Sequence, residues 1–291
     1  MKILVTGATG CLGSNLVKSL LDKEHDVSIL KRSFSDTWRI ANVLEKLHLY
    51  NIDKCSIQKP FDDNGRFDAI IHTATCYGRN GESVQQICEA NTVFPLQLLE
   101  TAIAYNTTTF LNTDTTLQKY LNKYSMSKKQ FMEWGKKFAN EGTINFINIQ
   151  LEHFYGPTDD ESKFTTYVMN SCRQNRASLK LTKGEQKRDF IYISDVVDAY
   201  LLLLQKLDDL PEKFQDYIVG SGSTISIRDF VEIAHRLTNS KTYLDFGAIP
   251  YREGEIMESK TDISLLKELG WMPTVSIIEG ITKCLNEEVM V

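Results

Sequence analysis

Tyr124 and Lys128, in the stretch YSMSK, stand four positions apart. On a helix that spacing brings both side chains to one face, near enough to interact. A free tyrosine gives up its proton near pH ~10, so acid–base work at neutral pH needs a neighbouring cation, which Lys128 can supply. The same spacing recurs at Tyr50 and Lys54 in YNIDK, so spacing alone decides nothing. Context separates the two pairs. A hydroxyl-rich strand end, TTFLNTDTT (108–116), lies just upstream of Tyr124, and the helix that follows carries Phe131 and Phe138 on an apolar face. Tyr50 and Lys54 have no such company. The plainer alternative for Tyr124 is a packed ring beside a snorkelling lysine.

A second group of residues could hold a cofactor. TGATGCLG (6–13) follows the apolar run KILVT and precedes Leu12, Leu16, Leu20 and Leu21 at helical spacing. Gly7, Gly10 and Gly13 allow a tight turn, close backbone approach to a pyrophosphate, and close helix–strand contact. The helix start offers free N–H groups and positive dipole to phosphates. A strand before and a helix after are the context that this pattern needs, so it predicts dinucleotide binding. At the end of the second strand an NAD enzyme would place Asp or Glu to hold the ribose 2′-hydroxyl. ILKRS stands there instead. Lys31 and Arg32 can neutralise a 2′-phosphate, which favours NADPH over NAD.

The elements that must position these groups alternate along the first half. Strands are expected at 2–6, 26–30, 68–72, 108–112 and 145–150, with helices at 12–22, 37–47, 83–105 and 119–140. Pro95 should kink or split the longest of these helices. Such alternation predicts an α/β fold, a Rossmann-type doubly wound parallel sheet of about seven strands. After EHFYGP the rhythm breaks, and a helix at 194–207 looks set to return to the sheet. The expected division is a dinucleotide-binding domain of 1–154 with 189–219, and a smaller interwoven α/β substrate lobe of 155–188 with 220–291.

The totals exclude several classes. With 291 residues the chain can bury a large core, and 42% hydrophobic with 24% charged residues is ordinary for a soluble enzyme. A net charge of −5 gives no reason to expect nucleic acid or an anionic membrane as partner. Apolar runs such as AYLLLLQ are too short to span a bilayer, and the glycine-rich start does not read as a signal peptide, so the expected compartment is the cytoplasm. The six cysteines form no C-x-x-C pair and no His cluster accompanies them, so no metal site is expected.

The G-x-x-G-x-x-G loop together with Y-x-x-x-K resembles the extended short-chain dehydrogenase/reductases, the NAD-dependent epimerase/dehydratase family. That resemblance implies further roles. A Ser or Thr at the end of the strand before the tyrosine hydrogen-bonds the substrate's oxygen. Counting from Phe110, Thr115 falls at that position, with Thr113 the alternative if the strand slips by two. Lys128 would also hold the nicotinamide ribose hydroxyls. Cofactor contacts carry over by position to Thr9, Cys11 and Leu12 in the loop, to Asn51 and Ile52, and to Thr73, Ala74 and Thr75. Asn91, Thr113, Leu151 and His153 complete that set. Only nine positions separate Thr115 from Tyr124, so the family's longer insert there is trimmed.

Later segments resemble one branch, the abequose- and paratose-synthase type reductases of CDP-linked 4-keto-dideoxyhexoses. LEHFYGP, DDESKF, GEQKRDFIYISD, GSGSTISIRDF and FGAIPYREGEIMES follow in the branch's order, with ATCYGRN and FLNTD before them. His153 stands where the family usually has Asn. The resemblance implies substrate contacts at Tyr77, Arg79, Thr115, Glu152, His153, Lys163 and Phe164. Arg188 and Arg252 would meet the nucleotide phosphates, and Glu255 would lie near the nucleotide ribose. The implied partner is a small-molecule sugar nucleotide, and homodimers through paired helices are usual in the superfamily. A 4,6-dehydratase would need Asp-Glu after the catalytic Thr, where this chain has Thr116 and Leu117, leaving Asp114 and Glu152 as the candidate acids. A 4-epimerase keeps tightly bound NAD, against which Lys31 and Arg32 argue, and a nicotinamide-sensing regulator would typically have lost the Tyr-Lys pair.

Overall fold

The computed structural model describes residues 1–286. In the first half the elements are β1 (Lys2–Thr6), α1 (Cys11–Asp22), β2 (Asp26–Lys31), β3 (His48–Asn51), α2 (Lys59–Asn64) and β4 (Ala69–His72). They continue with α3 (Val84–Cys88), α4 (Phe94–Ala104), β5 (Thr109–Thr115), α5 (Lys123–Asn140) and β6 (Asn145–Leu151). The second half has β7 (His153–Tyr155), α6 (Phe164–Arg173), β8 (Ser178–Leu181), β9 (Lys187–Arg188), β10 (Phe190–Tyr192) and α7 (Ile193–Gln205). It ends with β11 (Phe214–Val219), β12 (Ile225–Ser226), α8 (Ile227–Leu237), β13 (Tyr243–Phe246), α9 (Ser264–Glu268) and α10 (Ile277–Asn286).

The chain divides into two compact units. Residues 1–151 with 199–218 form the first, and residues 152–198 with the described residues from 219 onward form the second. The first holds a seven-stranded parallel sheet in the order β11-β6-β5-β4-β1-β2-β3. Its inner strands β1, β4 and β6 are buried runs rich in Ile, Leu, Val and Phe, as a sheet covered on both faces demands. One side packs Phe61, Phe67, Leu98, Phe110, Phe131 and Phe146 into a continuous core.

The second unit carries three two-stranded pairs, β10–β7, β12–β9 and β13–β8. The boundary expected near 189 lies later, because β10 pairs with β7 rather than with the large sheet. That pairing takes residues 152–154 and 189–198 into the second unit. Tyr155, Phe190, Tyr192 and Phe230 pack ring against ring as its aromatic core.

Two expected helices differ in form. Residues 38–46 wind as a tighter 3₁₀ helix in which only Ile40 is buried, so packing does little to hold a regular α-helix. The long helix is split by one π turn, Glu89–Val93, just before Pro95. Proline lacks an N–H and its ring crowds the carbonyl four residues back, and the widened turn relieves both.

Candidate active site

The cofactor cradle is built from close approach. Gly7 sits at φ +72°, and a Cβ there would stand 2.5 Å from the Ala74 nitrogen and 2.6 Å from the Thr73 hydroxyl. A Cβ on Gly13 would stand 2.2 Å from the Gly7 carbonyl oxygen. Any larger residue at either position would push α1 off the β1 and β4 ends. Gly10 begins α1 with no side-chain cap, which leaves the first-turn N–H groups to a phosphate. Thr9 and Cys11 are half-buried and Leu12 is buried beneath the turn.

At the β2 end, Lys31 donates from Nζ to Asn51 Oδ1 at 3.1 Å, and Ile52 N–H donates to the Lys31 carbonyl. Arg32 is exposed and lies over the Phe34 ring. Arg39, from the 3₁₀ segment, donates to the Thr9 carbonyl at 3.3 Å, so a cation reaches the glycine loop. The only acid tied to this turn by a described hydrogen bond is Asp53, whose carboxylate accepts from the Ser33 N–H and hydroxyl, which hold its pKa below the ordinary value.

The catalytic candidates gather at the end of β5 and the start of α5. Asn122 caps α5 in a capping box with Ser125, which fixes Tyr124 in the first turn. Burial raises the Tyr124 pKa, with Tyr77 and Asp114 adding to the rise, while hydrogen bonds from Thr115 and Thr75 oppose it. Burial outweighs the other influences on it. The Tyr77 ring lies 5.0 Å from the Tyr124 ring, and the Arg79 guanidinium lies 4.8 Å over the Tyr77 ring.

Lys128 is 1% exposed, and its Nζ has no hydrogen-bond partner among the described residues. Burial pushes its pKa down to about 8, against a raising influence from Asp114. An unpartnered buried ammonium is costly, and the ribose hydroxyls of a nicotinamide nucleotide are partners of the right chemistry. The glycine cradle and this orphaned lysine both fit such a cofactor. Beside it His72 is fully buried and held well below its ordinary pKa, first by burial and then by the Lys128 charge.

Thr113 and Thr115 lie on one face of β5 and separate by what they meet. The Thr113 hydroxyl pairs with the Tyr200 hydroxyl at 2.6 Å, whereas Thr115 bonds toward Tyr124. Asn91, inside the π turn, braces the loop after β4. Its amide donates to the Cys76 carbonyl and the Ser127 hydroxyl, and its oxygen accepts from Cys76 N–H and from Thr75. Leu151 ends β6, and its carbonyl accepts from the Thr116 N–H at 3.4 Å.

In the second unit Glu152 is buried and accepts from the Ser259 hydroxyl at 2.7 Å, and its other oxygen lies 2.7 Å from His153 Nδ1. Arg188 and Glu255, expected to meet different parts of a nucleotide, form an ion pair with each other, and Arg188 also donates to the Ile256 carbonyl at 2.6 Å. Arg252 is exposed in the loop before Glu255. Lys163 pairs with Asp159 at 3.0 Å and stands 3.8 Å over Phe154, and Phe164 packs toward Phe230. The structure thus brings Thr75, Tyr77, Thr115, Tyr124 and Lys128 together in the first unit, and Glu152 with His153 in the second.

Asp114 is not a free acid. It is buried and ion-paired with Lys129 at 2.9 Å. Neither Arg39 nor Lys129 stood out in the sequence reading. The signal for Lys129 was present as a second charge directly after the motif lysine, on a helix face facing a buried strand.

The NAD dependent epimerase/dehydratase family matches residues 3–220 of this chain. CDP-abequose synthase of Salmonella muenchen is 35% identical over 292 residues, covering 98% of this chain and 97% of that protein. A putative UDP-glucose 4-epimerase of Methanocaldococcus jannaschii is 24% identical, covering 98% and 97% respectively. Among solved structures, the UDP-glucose 4-epimerase of Thermotoga maritima with UDP-glucose superposes with a TM-score of 0.86 at 22% identity, covering 98% of this chain and 97% of that one. The UDP-glucose 4-epimerase of Thermus thermophilus in complex with NAD gives 0.84 at 20% identity, covering 98% of each. At these identities the two structures share the fold.

Proposed function

The chain belongs to the NAD-dependent epimerase/dehydratase family, and from that premise we propose that it uses NADPH to reduce the C4 keto group of a nucleotide-activated, CDP-linked 4-keto-deoxyhexose. The observation that carries the reading is the cluster of the Tyr124 hydroxyl, the Thr115 hydroxyl and the orphaned Lys128 ammonium. The 35% identical CDP-abequose synthase supports the substrate class. Lys31, Arg32 and Arg39 around the β2 end and the glycine loop support a cofactor with a 2′-phosphate.

A bound reduced nicotinamide would supply hydride to the carbonyl carbon. Tyr124 donates its proton to the oxygen that becomes the alcohol, and Thr115 hydrogen-bonds the same oxygen. Lys128 would hold the nicotinamide ribose through its buried ammonium and keep positive charge beside the tyrosine as it loses its proton. Dehydration would need a mobile acid next to Thr115, and Asp114 is committed to Lys129.

The test mixes purified protein with NADPH and a panel of 4-keto-6-deoxy sugar nucleotides that includes the CDP-3,6-dideoxy compound. Stoichiometric loss of nicotinamide absorbance with one of them is the expected result, and the product's NMR spectrum then gives the C4 configuration. No loss with any, together with NAD that co-purifies with the protein, would replace the reading with a 4-epimerase.

A further inference from the structure

Lys128 and Lys129 are neighbours, both buried, and differ completely in what they meet. Lys129 donates from Nζ to Asp114 Oδ2 at 2.9 Å, to the Thr115 carbonyl at 2.6 Å and to Gln150 Oε1 at 2.8 Å. Asp114 has no exposed side-chain surface, and its Oδ1 accepts the Thr115 N–H at 2.7 Å. Its Oδ2 also accepts from Asn148 Nδ2 at 3.1 Å. Asn148 and Gln150, both on β6, donate in turn to Asp216 Oδ1 at 2.9 and 2.8 Å. The N–H and the C=O of Thr115 are therefore each held by one member of a single ion pair. One member comes from β5 itself and the other from α5, the helix that carries Tyr124.

A buried ion pair is a weak source of stability, because desolvating both charges offsets most of their attraction. Two apolar side chains of similar volume would hold β5 to α5 at least as well. What an apolar pair would not do is bind both peptide groups of Thr115, or place a matched plus and minus beside the catalytic pair. We infer that Asp114 and Lys129 form a positioning clamp, which fixes Thr115 relative to Tyr124 and balances the charge felt at Tyr124 and Lys128. The inference rests on Tyr124 as the proton donor of the proposed reduction.

The electrostatics agree in sign with that arrangement. The Asp114 charge raises the proton affinity of Tyr124 and of Lys128, and the Lys129 charge lowers that of Lys128. The other titratable groups facing the pair are Tyr77 from the loop after β4, His72 from β4, Tyr200 from α7, and Asp216 from β11 through Asn148 and Gln150. None of them carries a positive charge at neutral pH. Apart from Lys128 itself, Lys129 is thus the cation that faces Asp114 from the helix side.

The test compares Asp114→Asn, Lys129→Met and the double variant with wild type. Lys128 is followed in the ligand-free protein through the NMR shift of its ¹³C-labelled ε-carbon, and kcat and KM are measured for the reduction. Losing the Asp114 charge should move the Lys128 titration down by about one pH unit, and losing the Lys129 charge should move it up by a similar amount. The double variant should return to within about half a unit of wild type. Lys129→Met should lower kcat by about tenfold or more while cofactor KM stays within about threefold, because Thr115 loses its carbonyl anchor. Two single variants that leave Lys128 unmoved, or move it the same way, would overturn the clamp. If Lys129→Met does not fold, Asp114→Asn and the double variant decide the same question. The titration needs no substrate, so a wild-type protein that reduces nothing while Lys128 shifts as expected would sink the reduction and leave the Asp114–Lys129 charge balance at Lys128 standing.

Discussion

Two tyrosine–lysine pairs in this chain share one spacing, and the fold treats them in opposite ways. Tyr50 lies in β3 and Lys54 in the turn beyond it, so the two side chains share no helix face. The Tyr50 hydroxyl is taken up locally, donating to Asp63 at 3.2 Å and accepting from Asn64 at 2.8 Å, while Lys54 is exposed. Tyr124 and Lys128 occupy the first turns of α5, and the lysine has lost both water and partners. In the proposed reaction the same four-residue interval does chemistry only where a helix aligns the pair and burial leaves the lysine unsatisfied.

The comparison is broken most severely at Tyr124. Phenylalanine there should lower kcat by about 10²–10⁴-fold, the usual range for a general acid, with cofactor affinity unchanged by fluorescence titration. Next is the strand end. Thr115→Ala should cost about a hundredfold in kcat through a lost hydrogen bond to the developing oxyanion. Thr113→Val should leave kcat nearly intact yet lower the melting temperature, because the buried Tyr200 hydroxyl loses its partner.

Lys128→Met sharpens the comparison through stability. With the folded pKa down at about 8 and the ordinary value at 10.5, the unfolded chain binds the extra proton between those two values. Wild-type stability should therefore rise relative to Lys128→Met as pH climbs through that window, and the difference should be flat below it. Urea unfolding at a series of pH values reads the slope. Smallest of all, Tyr50→Phe and Lys54→Ala should change kcat by less than about twofold and stability by about 0.5 kcal/mol, as surface substitutions do. A tenfold loss at either would mean that spacing, not context, had been the true signal.

Much of the first unit was legible because its signals are local. A strand, a glycine turn and an amphipathic helix lie within twenty-odd residues of each other, and TGATGCLG needs only its neighbours to be understood. The choice between Thr113 and Thr115 was not legible, because a strand's period of two puts both on one face. The Tyr200 hydroxyl, 87 positions from Thr113, and the Thr115 bond toward Tyr124 separate them. Arg188 shows the same limit. Its residue type suits a diphosphate, but its ion-pair partner Glu255 comes from 67 positions downstream, and no local pattern announces it. The shifted unit boundary follows suit, since it depends on β10 finding β7. Asp114 was read as a spare acid because its counter-ion sits on another element, and a charge in a buried strand should have prompted the search for one.

The most direct measurement of the central claim is a single turnover with NADPH deuterated at the transferable position of its nicotinamide, run with wild type and with Tyr124→Phe. The sugar product of the wild-type reaction should carry deuterium at C4, and the variant should bind the cofactor equally well yet deliver no label on the same timescale. Label appearing on the sugar with the Phe variant at a tenth of the wild-type rate or more would contradict the assignment of Tyr124 as the proton donor.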